Sequence, residues 1–123
     1  MGVWCFTLST FAQNYYQQAL RKIENEDYKG ALAALDKAIE QDSTNAMAYF
    51  KRGFTKALLT RHADALADFD KAIALKPDEP QFYIERGIAK VNLGDQGGAC
   101  ADWKEASSRG SEDAISYLEE YCQ

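Results

Sequence analysis

Apolar residues recur along this chain every three or four positions, without the strict alternation of a half-buried strand, and this period predicts helices throughout. In the middle of the chain, Tyr49, Phe50, Gly53, Phe54, Ala57 and Leu58 share one face of a helix. Ala65, Leu66, Phe69, Ala72 and Ile73 share a face of the next. Short joints interrupt the pattern at Thr60-Arg61-His62 and at Gly94-Asp95-Gln96. Pro77 and the run Asp78-Glu79-Pro80-Gln81 mark a stop and a fresh start, with Asp78 placed to cap the new helix and Gln81 to return the bond in a capping box.

The pattern also repeats. Asp36-Lys37-Ala38-Ile39 returns 34 residues later as Asp70-Lys71-Ala72-Ile73, and Ala31-Leu32-Ala33 returns as Ala65-Leu66-Ala67. The same offset links Tyr15, Tyr49 and Tyr83, and also Leu35, Phe69 and Trp103, so one register covers residues 12–113 in units spanning 12–45, 46–79 and 80–113. Each unit reads as a helix, a tight turn and a second helix. One such pair cannot bury both of its apolar faces, so stacked pairs share a core and the ends need a polar cover. Residues 112–122 suit that role as a short capping helix, with Ile115, Leu118 and Tyr121 or Cys122 on its apolar edge and Glu112, Asp113, Glu119 and Glu120 toward water.

Within the units, fixed positions carry an aromatic, a small residue, an alanine, a second large side chain and another alanine. These are Tyr49, Gly53, Ala65, Phe69 and Ala72, followed by Pro77, in the second unit, and Tyr83, Gly87, Ala99, Trp103 and Ala106 in the third. The first unit carries Tyr15, Ala19, Ala31, Leu35 and Ala38, with Ser43 in place of the proline. On these residues the chain resembles the tetratricopeptide repeat family. The resemblance implies an all-α, right-handed α-solenoid of three helix-turn-helix units plus a C-terminal capping helix. It also implies a non-catalytic protein-protein interaction module, a scaffold or adaptor without a cofactor. Two departures recur: lysine where a second aromatic is common (Lys22, Lys56, Lys90) and arginine in place of leucine (Arg52, Arg86).

In this family the first helices of the units line a concave groove that grips peptides or partner helices. Carried onto this sequence, the lining includes Tyr16, Leu20, Phe50, Lys51, Phe54, Ile84, Glu85 and Ile88, a largely apolar set of the kind that marks an interaction surface. One subset of the family clamps the terminal carboxylate of chaperone tails with cations and asparagine. The corresponding positions here are Tyr16, Leu20, Lys51, Gln81 and Glu85, where only Lys51 has a suitable charge and Glu85 repels, so the resemblance does not extend to that ligand.

The 123 residues are 46% hydrophobic with a net charge of −5, which suits one soluble domain and disfavours nucleic acid as a partner. The first helices nevertheless carry Arg21, Lys22, Lys51, Arg52, Lys56, Arg86 and Lys90 against only Glu24 and Glu85. A basic inner side within an acidic protein favours an apolar and acidic peptide. The competing reading is that these cations pair with Asp64, Asp68, Asp70 or Asp102 on the second helices. Two other occupants of the groove compete with a partner: residues 2–11 of the chain itself, or another copy, which would make the protein a self-associating structural unit.

Residues 1–20 contain no charged side chain and open with Val3, Trp4, Cys5, Phe6 and Leu8, a run too short to span a bilayer. Residues 1–12 therefore read either as a signal-peptide remnant ending at Thr10-Phe11-Ala12, or as an apolar lead that packs on the first helix of a repeat domain at 13–123. The first reading implies an exported, periplasmic protein and the second a cytoplasmic one. No catalytic or metal motif is present. His62, the only histidine, sits in a joint as a packing residue. Cys100 and Cys122 flank Gly110 at nearly equal distances, which puts them at one level of an antiparallel hairpin, as a disulfide or as two reduced, buried thiols.

Overall fold

The computed structural model describes the backbone of residues 2–123 and the side chains of residues 10–123. Seven helices follow in order: α1 (Gly2–Glu24), α2 (Tyr28–Gln41), α3 (Ala46–Leu58), α4 (His62–Leu75), α5 (Pro80–Asn92), α6 (Gln96–Ser108) and α7 (Asp113–Tyr121). Helices α1 and α2, α3 and α4, and α5 and α6 pack as pairs, successive pairs meet through α2–α3 and α4–α5, and α7 packs on α6. The helix α1 runs unbroken through Thr10, Phe11 and Ala12, where Ala12 is buried and Phe11 exposed. The side chains of residues 1–9, on which the packing and self-coverage readings of the lead depend, lie outside the described residues.

The joints within the units share one backbone device. Glu26, Thr60 and Gly94, spaced by the repeat, all adopt positive φ (60°, 61° and 85°), although only the third is glycine. The next residue caps the second helix. Asp27 accepts from the Gly30 amide and Asp95 from the Gly98 amide, whereas Arg61 has no capping bond and instead pairs with Asp64 at 3.0 Å. The capping box expected before α5 does not form. Helix α5 starts at Pro80 with Glu79 as an uncapped lead residue, and the Gln81 amide is spent on Glu85 one turn later.

The core is built on a notch. A Cβ at Gly53 would stand 2.8 Å from Phe69 Cε1, and one at Gly87 would stand 2.5 Å from Trp103 Nε1. Glycine is therefore what lets the first helix of each of these units reach the ring on the second. Trp103 is held there by donating its indole N–H to the Ile84 carbonyl at 3.2 Å. Phe50 lies 5.8 Å from Phe69 and 4.8 Å from Phe82, so an aromatic relay carries the core across the boundary between the second and third units.

Helix α7 closes the stack along the expected edge at Leu118 and Cys122, but Ala114 and Tyr117 take the place expected for Ile115. Ala114 is fully buried, Tyr117 stacks on Trp103 at 5.0 Å, and Leu118 and Cys122 pack against the same cluster, while Ile115 is 47% exposed. The stripe through Ala114, Tyr117 and Leu118 wins because alanine allows close approach and tyrosine covers the indole face. Cys100 and Cys122 form a disulfide with Cα atoms 5.8 Å apart, and the Gln96 side chain donates to the Tyr121 carbonyl beside it. A bridge of this loop length stabilises a fold by about 3 kcal/mol.

Phe69→Ala should lower the unfolding free energy by about 3–5 kcal/mol, read by urea denaturation, because Phe69 is wholly buried and fills the space over the Gly53 notch.

Candidate functional site

The first helices and α7 line a trough made of three joined hollows. The first, of about 390 Å³, lies between α3 and α5 and is lined by Phe50, Lys51, Phe54, Gln81 and Glu85. Gln81 also borders the second, again about 390 Å³, where Ile84 faces Asp113, Ser116, Tyr117 and Glu120 of α7. Tyr117 in turn borders the third, of about 280 Å³, with Ile88, Val91, Asn92, Trp103 and Tyr121.

The sequence-derived lining is thus partly brought together and partly divided. Phe50, Lys51, Phe54 and Glu85 meet in one hollow, Ile84 floors the second, and Ile88 belongs to the third. Phe50 and Ile84 are 5% and 3% exposed, so they support the trough more than they offer surface. Tyr16 packs with Ala19, Ala34, Leu35 and Ala48, and Leu20, which is half-buried on the same helix, lines none of the three hollows. The contribution of α7 could not be read from the first-helix register, because its Tyr117 and Glu120 belong to a helix that carries no complete repeat.

Charge is distributed differently from the simple count. The Arg52 guanidinium donates to both oxygens of Asp68 at 3.0 and 2.8 Å and to Asp36 at 3.0 Å, and Lys56 reaches Asp68 at 2.9 Å. One unit on, Arg86 grips Asp102 at 3.0 and 2.7 Å and Asp70 at 2.9 Å, while Lys90 reaches Asp102 at 3.0 Å. The Asp68 and Asp102 side chains are each only 5% exposed. These are largely buried clusters rather than surface pairs. Lys22 also pairs, with Asp27, so of the seven first-helix cations only Arg21 and Lys51 lack an ion pair among the described residues. The expected basic inner side is neutralised by aspartates that the fold turns toward it. Asp64 is the exception to that pairing, since it is taken by Arg61.

Two groups in the trough stand away from their ordinary protonation range. Burial pushes the Glu85 carboxyl up, against the opposing effects of the Gln81 hydrogen bond and the Lys51 charge. Tyr117 is also raised, first by desolvation and then by the negative field of Glu85, Asp113, Tyr121 and Glu120. His62 lies outside the trough as the first residue of α4, half-buried, with its Nδ1 buried and unpartnered among the described residues. Among those residues no helix is long and apolar enough to cross a membrane.

A family model described as TPR repeat matches residues 19–59, about a third of the chain, from within α1 to the end of α3. No curated protein sequence matches. Among solved structures, the first TPR domain of Spaghetti (RPAP3) bound to the HSP90 peptide SRMEEVD superposes with a TM-score of 0.88 at 21% identity, over 92% of this chain and 91% of that one. The Arabidopsis OM64 TPR domain does so at 0.89 and 19% identity, over 93% and 96%. The Yersinia enterocolitica type III secretion chaperone SycD, in complex with a peptide of the translocator YopD, gives 0.84 at 14% identity, over 89% and 90%. The chain thus has the fold of these TPR domains, an all-α helical solenoid of three helical pairs closed by a capping helix, and residues 19–59 carry the TPR repeat pattern itself.

Asp102→Asn should cost about 3–5 kcal/mol in denaturant unfolding, since it leaves Arg86 and Lys90 without their buried counter-charge. Asp70→Asn, at the 64% exposed end of the same cluster, should cost less than about 1 kcal/mol. Glu85 tests the opposite sign. Its folded-state affinity for a proton exceeds the unfolded one, so its contribution is most favourable at acid pH and is lost as pH rises through the raised folded value. Glu85→Gln should therefore raise the melting temperature relative to wild type at pH 7, and the difference should shrink as pH falls below the ordinary glutamate range.

Proposed function

We propose that this protein is a non-catalytic interaction module that holds an extended peptide or partner helix in the trough formed by α3, α5 and α7. The observation that carries this reading is the continuity of the three hollows, joined through Gln81 and Tyr117, the first and third lined mainly by apolar side chains and the second mainly by polar ones. Such a lining is what orients a peptide while its apolar side chains supply affinity. The Spaghetti and SycD domains, which share the fold, are each seen with a peptide. The ligand differs from an acidic chaperone tail, because Tyr16, Leu20 and Glu85 replace the charges such a clamp needs and the other cations of the inner side are committed to aspartates.

Phe54 is the side chain to test, since it is half-buried at the rim of the first hollow, whereas Phe50 lies in the core and its replacement would unfold the site. Peptides selected from a random library on the immobilised chain should lose roughly tenfold or more in affinity on Phe54→Glu, measured by fluorescence anisotropy. Equal binding by a folded Phe54→Glu variant would defeat the trough as the binding site.

A further inference from the structure

Cations dominate the first helices in the sequence, yet the second hollow has none in its wall. It is lined by Gln81, Ile84, Asp113, Ser116, Tyr117 and Glu120. Arg86 and Lys90, which share α5 with Ile84, are turned onto Asp102 and cannot serve it. Asp113 and Glu120 make no ion pair among the described residues, and neither does Glu85 on the adjoining wall, which accepts from the Gln81 amide and feels the Lys51 charge without a direct contact. Neutralising the inner cations therefore leaves this half of the trough with an uncompensated negative field. The rise in the Tyr117 hydroxyl, to which Glu85, Asp113 and Glu120 all contribute after burial itself, registers that field at the ring between them.

Resting on the reading of the trough as a peptide site, we propose that the hollow between α5 and α7 receives a lysine or arginine side chain, so that the ligand is a peptide apolar at Phe54 and basic at Tyr117. The chemistry of the wall suits such a residue along its whole length. The Tyr117 ring offers apolar surface to the methylene stem and attracts the cation, and the Asp113 and Glu120 carboxylates of α7 flank the head group. An acidic residue at the same place would meet the Asp113 and Glu120 carboxylates with no protein cation among the lining residues. Lys51, at the far end of the first hollow, gives the trough a polarity that distinguishes the two directions of an extended peptide.

The test selects a random displayed peptide library against the immobilised full-length chain. A synthetic copy of an enriched peptide is then measured by anisotropy against wild type and against the doubly reversed Asp113→Lys/Glu120→Lys variant. Both positions are exposed, and circular dichroism confirms that the variant is folded. Enriched sequences should share a lysine or arginine at a fixed distance from an apolar residue. Affinity should fall roughly tenfold or more on charge reversal and weaken with added salt. Replacing the basic residue of the peptide by glutamate should restore binding to the reversed variant, a rescue that a merely structural role of Asp113 and Glu120 would not give. Enriched peptides without a basic residue, or affinities indifferent to the reversal, overturn this proposal while the trough reading stands if Phe54→Glu still weakens them. Peptides that ignore Phe54→Glu as well, or no enrichment at all, overturn both.

Discussion

The closeness with which the first helix of each unit approaches the second is the constraint on which the other contacts depend. At Gly53 and Gly87 no Cβ fits, because Phe69 and Trp103 already occupy that space. In the first unit Ala19 and Leu35 make the same contact with a larger residue facing a smaller side chain, and both are wholly buried. Volume is thus conserved across the notch while its two sides trade size, as dense packing requires. The rings set into these notches then organise what lies beyond. Phe69 meets Phe50, Phe50 meets Phe82, and Trp103 provides the face on which Tyr117 lays down the capping helix.

A second constraint is electrostatic. Arg52 and Arg86 each reach one aspartate of their own unit and one of the preceding unit, sixteen residues to either side, so each arginine ties neighbouring pairs together. The arginine also lies against the unit's aromatic, with its Cζ 5.6 Å from the Tyr49 ring centre and 5.7 Å from that of Tyr83. Burying aspartate is costly without partners, and here both oxygens are satisfied by two cations. The device is absent from the first unit, where Gln18 and Ala34 stand at the corresponding positions. The arginine and lysine that depart from the usual family pattern are therefore parts of one buried cluster with Asp68 or Asp102. Their recurrence with those aspartates at a spacing of 34 was the signal in the sequence that linked them.

That pairing changes the functional picture more than any feature of the backbone. An inner side counted as basic becomes nearly neutral, and what remains without an ion pair along the trough is Lys51 in the first hollow and the carboxylates Glu85, Asp113 and Glu120 around Tyr117. Two of them, Asp113 and Glu120, come from α7. The capping helix is consequently a cover for the last repeat and also a wall of the site, held to α6 by the Cys100–Cys122 bridge and by Gln96.

Helix number, unit length and the notch residues were legible from sequence, because each follows from a period or a size pattern along the chain, whereas the relay through Phe82 emerged only from the packing. Helix ends were less so: Asp78 looked like a cap, but Pro80 opens α5 too far along for its side chain to serve, and Ile115 looked buried where Ala114 is. Phe50 and Ile84 were correctly placed on the first helices, yet their exposure depended on which neighbours stacked against them. The sequence by itself determined a repeating all-α stack, since a 34-residue recurrence of apolar faces has few other ways to bury them. Only the tertiary structure decided the sign of the field in the trough. Whether a charge is free or cancelled depends on which aspartates a second helix turns toward a first, and that is fixed by helix docking rather than by the count of charges along the chain.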